Sequence, residues 1–252
     1  MIKFFRKIRQ SLLTENRFLK YLIYAVGEIV LVVIGILIAL SINNWNQDQM
    51  IRKTELTLLD EMKNNLKADL ADIDFNISFN EVRLNSNKIV FEALKNPIKY
   101  NDTLNFYYAN LSSGTYFAKN TSAYDNLKSI GFQIIKTDSL RSRITQLYST
   151  TYRRIDILES RFSNDFYSSK LEPLLINNLI TDSLWYSAKP INQFELAKNH
   201  EFKEILKLNI SWIKFMIDEY KKIKLTILTL INQIENEIKG RSNLNNSDIN
   251  KG

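Results

Sequence analysis

Few residues in this chain have the type and spacing to do chemistry. His200 is the only histidine, and there is no cysteine. One imidazole without thiolates or further histidines cannot complete a typical zinc site. A serine triad would need that same imidazole beside a nucleophile, and no G-x-S-x-G segment carries one. No phosphate-cradling glycine loop of the G-x-x-x-x-G-K or G-x-G-x-x-G type occurs. His200 follows Asn199, a helix-start residue, which predicts an exposed ring. Asp69, Asp72 and Asp74 crowd one stretch, and helical spacing sets Asp69 and Asp72 on one side beside Lys67. That pattern reads as a solvated face rather than a cation site. Glu28 is different, because it is the single charge in the 22 residues from Tyr21 to Ile42. A carboxylate there costs at least a few kcal/mol unless it is protonated, paired or turned into protein. Gly35 and Ile42 follow it at seven-residue intervals, and Gly35-x-x-x-Ala39 lets a second helix approach closely. Glu28, Gly35, Ala39 and Ile42 are therefore the candidate helix–helix interface. The expectation is no catalytic centre, no metal and no cofactor, hence no enzyme.

The element that must carry Glu28 is a helix of about 33 Å, against a hydrocarbon core of about 30 Å. A transmembrane helix over residues 21–45 is predicted, with Trp45 as the boundary anchor. Lys3, Arg6, Lys7, Arg9, Arg17 and Lys20 stand against Glu15 alone in residues 1–20, a net of +5. The rest of the chain holds 28 basic and 26 acidic residues, a net of +2 out of the total +7. The basicity is thus a topology signal keeping the N-terminus cytoplasmic, and it leaves no basic face for nucleic acid. Ile2, Phe5, Ile8 and Leu12 make residues 1–20 amphipathic, suited to the inner leaflet. Ala39-Leu40-Ser41 matches a small-x-small cleavage site. The basic region and the apolar run are both too long for a secretory signal, however, so a retained anchor is expected. The partners implied are membrane lipid and, through the apolar helix, a second copy or another membrane protein.

The run FFRKIRQSLLTENRFLKYLIYAVGEIVLVVIGILIALSINNWNQ, residues 4–47, resembles the N-terminus of an uncharacterised family of bacterial single-pass membrane proteins. That family carries a closely similar YxxGEIxLVxxGILIALxINNWN segment. The resemblance implies architecture and inner-membrane residence, supplies no catalytic residues, and places Gly27-Glu28, Gly35 and Asn43-Asn44-Trp45 in a shared motif.

Beyond Trp45 the pattern turns soluble. Leu56, Leu70, Ile77, Leu84 and Phe91 lie on one seven-residue lattice, with Lys63 its odd member. Leu59, Leu66, Ile73 and Leu94 lie on a second, interrupted by Asn80 and Asn87. One helix from the membrane to Asn96-Pro97 is predicted. The polar interruptions favour an intramolecular bundle over a coiled-coil stalk. Only 6 Gly and 3 Pro in 252 residues agree with long helices. Eight aromatics between Tyr100 and Phe132 suit either bundle core or a ligand pocket, around short helices near 103–112 and 121–130. A helix capped by Thr137-Asp138 is expected to run to about Lys170, with a gap in its apolar face at Thr151 and a bend or end at Pro173. Leu174–Ile180 reads as a short helix and 181–199 as loop. A last helix starts near Asn199 and stops at Gly240. The fold class predicted is all-α: an N-terminal transmembrane helix continuing into a long helix of an antiparallel helical bundle. Its parts are a cytoplasmic segment 1–20, the span 21–45, an extracytoplasmic bundle 46–240 and a disordered tail 241–252. Two functions follow. One is a non-enzymatic interaction or scaffold subunit pairing through its transmembrane helix. The other is a periplasmic ligand-sensing module signalling through a membrane partner.

Overall fold

The computed structural model describes residues 18–95, 100–112 and 114–249. Lys3, Arg6, Lys7, Arg9 and Arg17 lie outside the described residues, as do Asn96-Pro97 and residues 250–252. Helix α1, Phe18–Lys95, is one unbroken element of 78 residues. The chain divides into a unit ending at Glu55 and a unit starting at Leu56. In the first, the apolar side chains from Leu22 to Ile42 are exposed. Among the described residues α1 is the one helix long and apolar enough to cross a membrane. So much bare apolar surface is unfavourable in water and at home in hydrocarbon.

The second unit is a helical bundle. After the 3-10 turn Asp102–Leu104 come α2 (Asn105–Ala109) and α3 (Ser122–Ile130). Then α4 (Asp138–Gln146), a π-helical segment Leu147–Tyr152, α5 (Arg153–Ser160), a second π-segment Arg161–Leu171 and α6 (Glu172–Asn178) follow end to end. Strands β1 (Leu179–Ser183) and β2 (Ser187–Pro190), helix α7 (Gln193–Lys198) and helix α8 (His200–Ile249) complete it. Helix α8 runs antiparallel to α1: Lys67 meets Glu235, Asp74 meets Lys224, Glu81 meets Lys221 and Asn87 meets Asn209. It also runs antiparallel to the α4–α6 rod, where Thr137 meets Glu237 and Phe162 meets Trp212. The rod is therefore parallel to α1, with Tyr152 on Asp69 and Phe162 on Arg83.

Two helices joined in sequence can be parallel only if the chain returns between them, and residues 110–112 and 114–120 belong to that return. They have little regular structure, so their backbone groups need other partners. Helix α1 supplies them in order. Asp69 accepts from the Asn120 amide at 2.7 Å, and Asp72 from the Ala118 amide at 2.9 Å. Asn76 donates to the Tyr116 carbonyl at 3.4 Å, Arg83 to that of Ser112 at 3.1 Å and Asn87 to that of Asn110 at 3.4 Å. The lengths agree: 18 helical residues rise about 27 Å, and 10 extended residues span up to about 33 Å.

This ladder explains the broken lattice. The buried positions of α1 are the second lattice, Leu59, Leu66, Ile73, Asn80, Asn87 and Leu94, together with Met62, Asp69, Asn76, Arg83 and Val90, and with Glu55, Leu58, Ile77 and Ser86 beside them. The reading of Asp69 as part of a solvated face is corrected: its side chain is 0% exposed. Asp74, exposed and paired with Lys224 at 2.5 Å, does fit that reading.

Asn209 donates from α8 to Asn87 at 2.7 Å in full burial. Either Asn87→Leu or Asn209→Leu alone strands the other amide and should cost roughly 1–3 kcal/mol. The double variant should cost less than the sum of the singles, since both polar partners go together. Urea unfolding of the four proteins measures this, and strict additivity would reject the pair as a coupled bond.

Several boundaries differ from expectation. The gap at Thr151 is a π-turn, which rotates Tyr148 and Tyr152 inward to 7% and 1% exposure. Pro173 neither bends nor ends the rod: it sits in the first turn of α6, where a missing N–H is tolerated. Thr137 precedes α4 but makes no side-chain cap, its hydroxyl donating to Glu237 instead. Residues 181–199 are no loop but the end of a hairpin and a helix. The hairpin carries no glycine or asparagine at its turn; Trp185 takes φ +66, held by Phe79 edge-on at 6.2 Å and by Asn110 on its carbonyl. Finally, α8 passes Gly240 without a break and residues 241–249 are helical, where a disordered tail was expected.

Candidate functional site

Two apolar cores fill the bundle. One holds Leu59, Leu66, Ile73 and Ile77 of α1 with Leu147, Ile223 and Ile227. The other holds Val90 and Leu94 with Leu111, Phe166, Phe202 and Leu206. Between Ile77 and Val90 the buried residues of α1 are all polar: Asn80, Arg83, Ser86 and Asn87. A cavity of about 160 Å³ opens at this level.

Arg83 is its centre. The side chain is 2% exposed, yet no acid pairs with it among the described residues. Its Nε donates to the Ser112 carbonyl at 3.1 Å and its Nη1 to Asn80 at 2.7 Å, while Phe162 lies under the guanidinium at 5.6 Å. Nη2 is buried and has no hydrogen-bond partner among the described residues. Burial pulls the guanidinium down to about 10, with the Tyr167 and Tyr220 hydroxyls acting the other way. It therefore remains a cation at neutral pH, held in a low-dielectric site without an ion-paired acid among the described residues, which is a costly arrangement.

The second π-segment builds the facing wall. Phe162, Ser163, Tyr167 and Ser168 all line the cavity. A π-helix is wider than an α-helix, so residues five apart such as Phe162 and Tyr167 come to one face. Such segments recur at functional sites. Gly114 brings the returning strand against the guanidinium: a Cβ there would lie 3.3 Å from Arg83 Nη1 and 3.4 Å from Phe162. Two acids also line the cavity, Glu159 and Glu172. Glu159 Oε1 accepts from the Phe117 amide at 2.9 Å and the Tyr220 hydroxyl at 2.7 Å. Burial raises its carboxyl above the ordinary range, against those two bonds.

None of the predicted helix–helix interface, anchor or topology residues lines this cavity, although Asn80 and Tyr116 do. Gly35, Ala39, Ile42 and Trp45 are exposed on α1, and Glu28 is half-buried. A Cβ on Gly35 would meet nothing within 4 Å. Lys20 falls in the first turn of α1. His200 is exposed at the start of α8. Of the eight aromatics between Tyr100 and Phe132, Tyr116 lines the cavity, while Tyr108, Phe117 and Tyr124 are buried in the two cores. Arg83, Glu159, Phe162, Tyr167 and Tyr220 were missed. The available signal was the seven-residue polar series Asp69, Asn76 and Arg83, running beside the Asn80 and Asn87 interruptions of the apolar lattice.

These features define a class: a helical-bundle protein with a charged internal cavity and a single described helix long and apolar enough to cross a membrane. The chain belongs to the family of unknown function DUF6090, whose model matches residues 28–177. The match starts at Glu28 and ends within α6, so it includes Arg83, Glu159 and Glu172 but not α8. No curated protein and no solved structure matches the chain.

Proposed function

We propose that this protein is a membrane-anchored, non-enzymatic ligand-binding module. The apolar part of α1 holds it in the bacterial inner membrane with the N-terminus cytoplasmic and the bundle periplasmic. The cavity around Arg83 takes up a small molecule. The observation that carries the proposal is the buried guanidinium at a cavity wall, with no acid paired to it and no partner for Nη2 among the described residues: a charge and a donor left over after the bonds to Ser112 and Asn80 suit something from outside the chain. Native mass spectrometry of the full-length chain, equilibrated with a cell metabolite extract in detergent, tests this. A small molecule retained by the wild type and lost in Gly114→Val, which narrows the cavity at Arg83, is expected. Retention of nothing by the wild type would overturn it. The anchor has its own test: the protein should resist alkaline carbonate, and a reporter on its C-terminus should be extracytoplasmic.

A second reading concerns how occupancy would be passed on. On the stripe of Glu28, Gly35, Ala39 and Ile42 the last three are exposed, and the open space over Gly35 suits close approach of another helix. Pairing there, with a second copy or another membrane protein, would make the chain an interaction subunit as well. Gly35→Leu and Glu28→Leu should each change the oligomer size or the co-purifying partners; no change in either would reject the stripe as an interface.

A further inference from the structure

The cavity lining carries charged groups of both signs, and from this we infer that its ligand is a small zwitterion of the amino-acid class, with a carboxylate on Arg83 and an ammonium beside Glu159 and Glu172. This rests on the cavity being a ligand site. Arg83 cannot swing away to find a partner, because Nε and Nη1 are tied to Ser112 and Asn80. Its remaining donor, Nη2, calls for an acceptor, and a carboxylate is the acceptor that also balances the charge. A simple anion would meet Arg83 but also two glutamates on the same walls. A simple cation would suit the glutamates and be repelled by Arg83. The three groups do not neutralise one another either, since neither glutamate forms an ion pair with Arg83 among the described residues. A molecule bearing both charges satisfies all three.

The remaining walls and the size agree. Phe162, Ile213 and Met216 give the cavity an apolar flank that would receive a hydrophobic side chain. A volume of about 160 Å³ holds on the order of ten waters, the scale of one amino acid. Glu159 fits the ammonium end for a further reason. Tyr220 and the Phe117 amide both bond its Oε1, so the carboxyl is held in place without being neutralised.

The test uses the full-length chain in detergent and isothermal titration calorimetry. Each proteinogenic L-amino acid is titrated in turn, and the tightest binder is compared with its decarboxylated amine and its deaminated acid. Saturable binding of the amino acid is expected, weakened by about tenfold or more in both truncated forms, each of which loses one charge-assisted contact. Arg83→Gln should abolish discrimination against the amine, and Glu159→Gln discrimination against the acid. The ligand comparison needs no variant, so misfolding of either substitution would not blunt it. A deaminated acid or inorganic phosphate binding as tightly as the amino acid would overturn the zwitterion and leave the receptor standing. Failure of every amino acid to bind, while a metabolite is still retained in the extract experiment, would overturn the ligand class alone.

Discussion

Glu159→Ala is expected to lower the unfolding free energy of the bundle by roughly 2–5 kcal/mol. The carboxylate is 6% exposed and receives two donors that have nowhere else to turn: the amide of Phe117 and the hydroxyl of Tyr220, on residues 5% and 1% exposed. Alanine leaves both buried and unsatisfied, each at roughly 1–3 kcal/mol. The bonds also join three parts of the bundle, since Glu159 is on α5, Phe117 on the returning strand and Tyr220 on α8. Urea unfolding followed by far-ultraviolet circular dichroism measures the loss. An effect below the sub-kcal scale of a surface substitution would show that water reaches these groups and that Glu159 is not a clip. The pH dependence has a definite sign. Burial raises the folded carboxyl above its unfolded value. Its contribution is then full below the ordinary carboxylate range, around pH 4, and is lost as pH rises through the raised value. The gap between wild type and Glu159→Ala should therefore narrow from pH 4 toward neutrality.

Asp69→Ala is expected to cost roughly 2–4 kcal/mol. Asp69 takes the Tyr152 hydroxyl at 2.5 Å and both the amide and side-chain nitrogen of Asn120, at 2.7 and 2.8 Å. Asn120 is exposed and can turn to water, whereas Tyr152 is buried at the π-turn, so most of the cost lies with the tyrosine. Tyr152→Phe supplies the check. It removes the donor, and Asp69→Ala in that background should cost clearly less than in the wild type. Equal costs in the two backgrounds would place the effect elsewhere. Burial raises the Asp69 carboxyl too, so this gap also narrows as pH rises toward neutrality.

The uneven legibility of the chain has a physical pattern. Where a helix is apolar all round, as from Leu22 to Ile42, composition and length suffice, because no tertiary partner is needed to explain the element. The continuity of α1 to Lys95 and the start of α8 after Asn199 were legible from heptad spacing and a cap. Asn199 does accept from the Phe202 amide at 3.0 Å. Legibility fails where a side chain answers to the backbone of a distant segment. Asp69 and Asp72 look like a wet helix face until Asn120 and Ala118 lie across them. The hairpin was hidden because Leu184-Trp185-Tyr186 contains none of the usual turn residues, and the positive φ of Trp185 is held by Phe79 and Asn110 from elsewhere in the chain. The π-segments were hidden because their register follows packing rather than propensity.

By itself, then, the sequence determined a long apolar helix, an all-helical domain behind it and a lone acid within the apolar run. Those depend on composition and on periods of a few residues, which operate locally. Tertiary structure alone decided that the helices α1 and α4–α6 run parallel, that a polar seam is inside rather than outside, and that Arg83, Glu159 and Glu172 share one cavity. These residues are separated by 76 and 13 positions, and only the return of the chain along α1 brings them together. No local rule can report a juxtaposition made by burial over such distances.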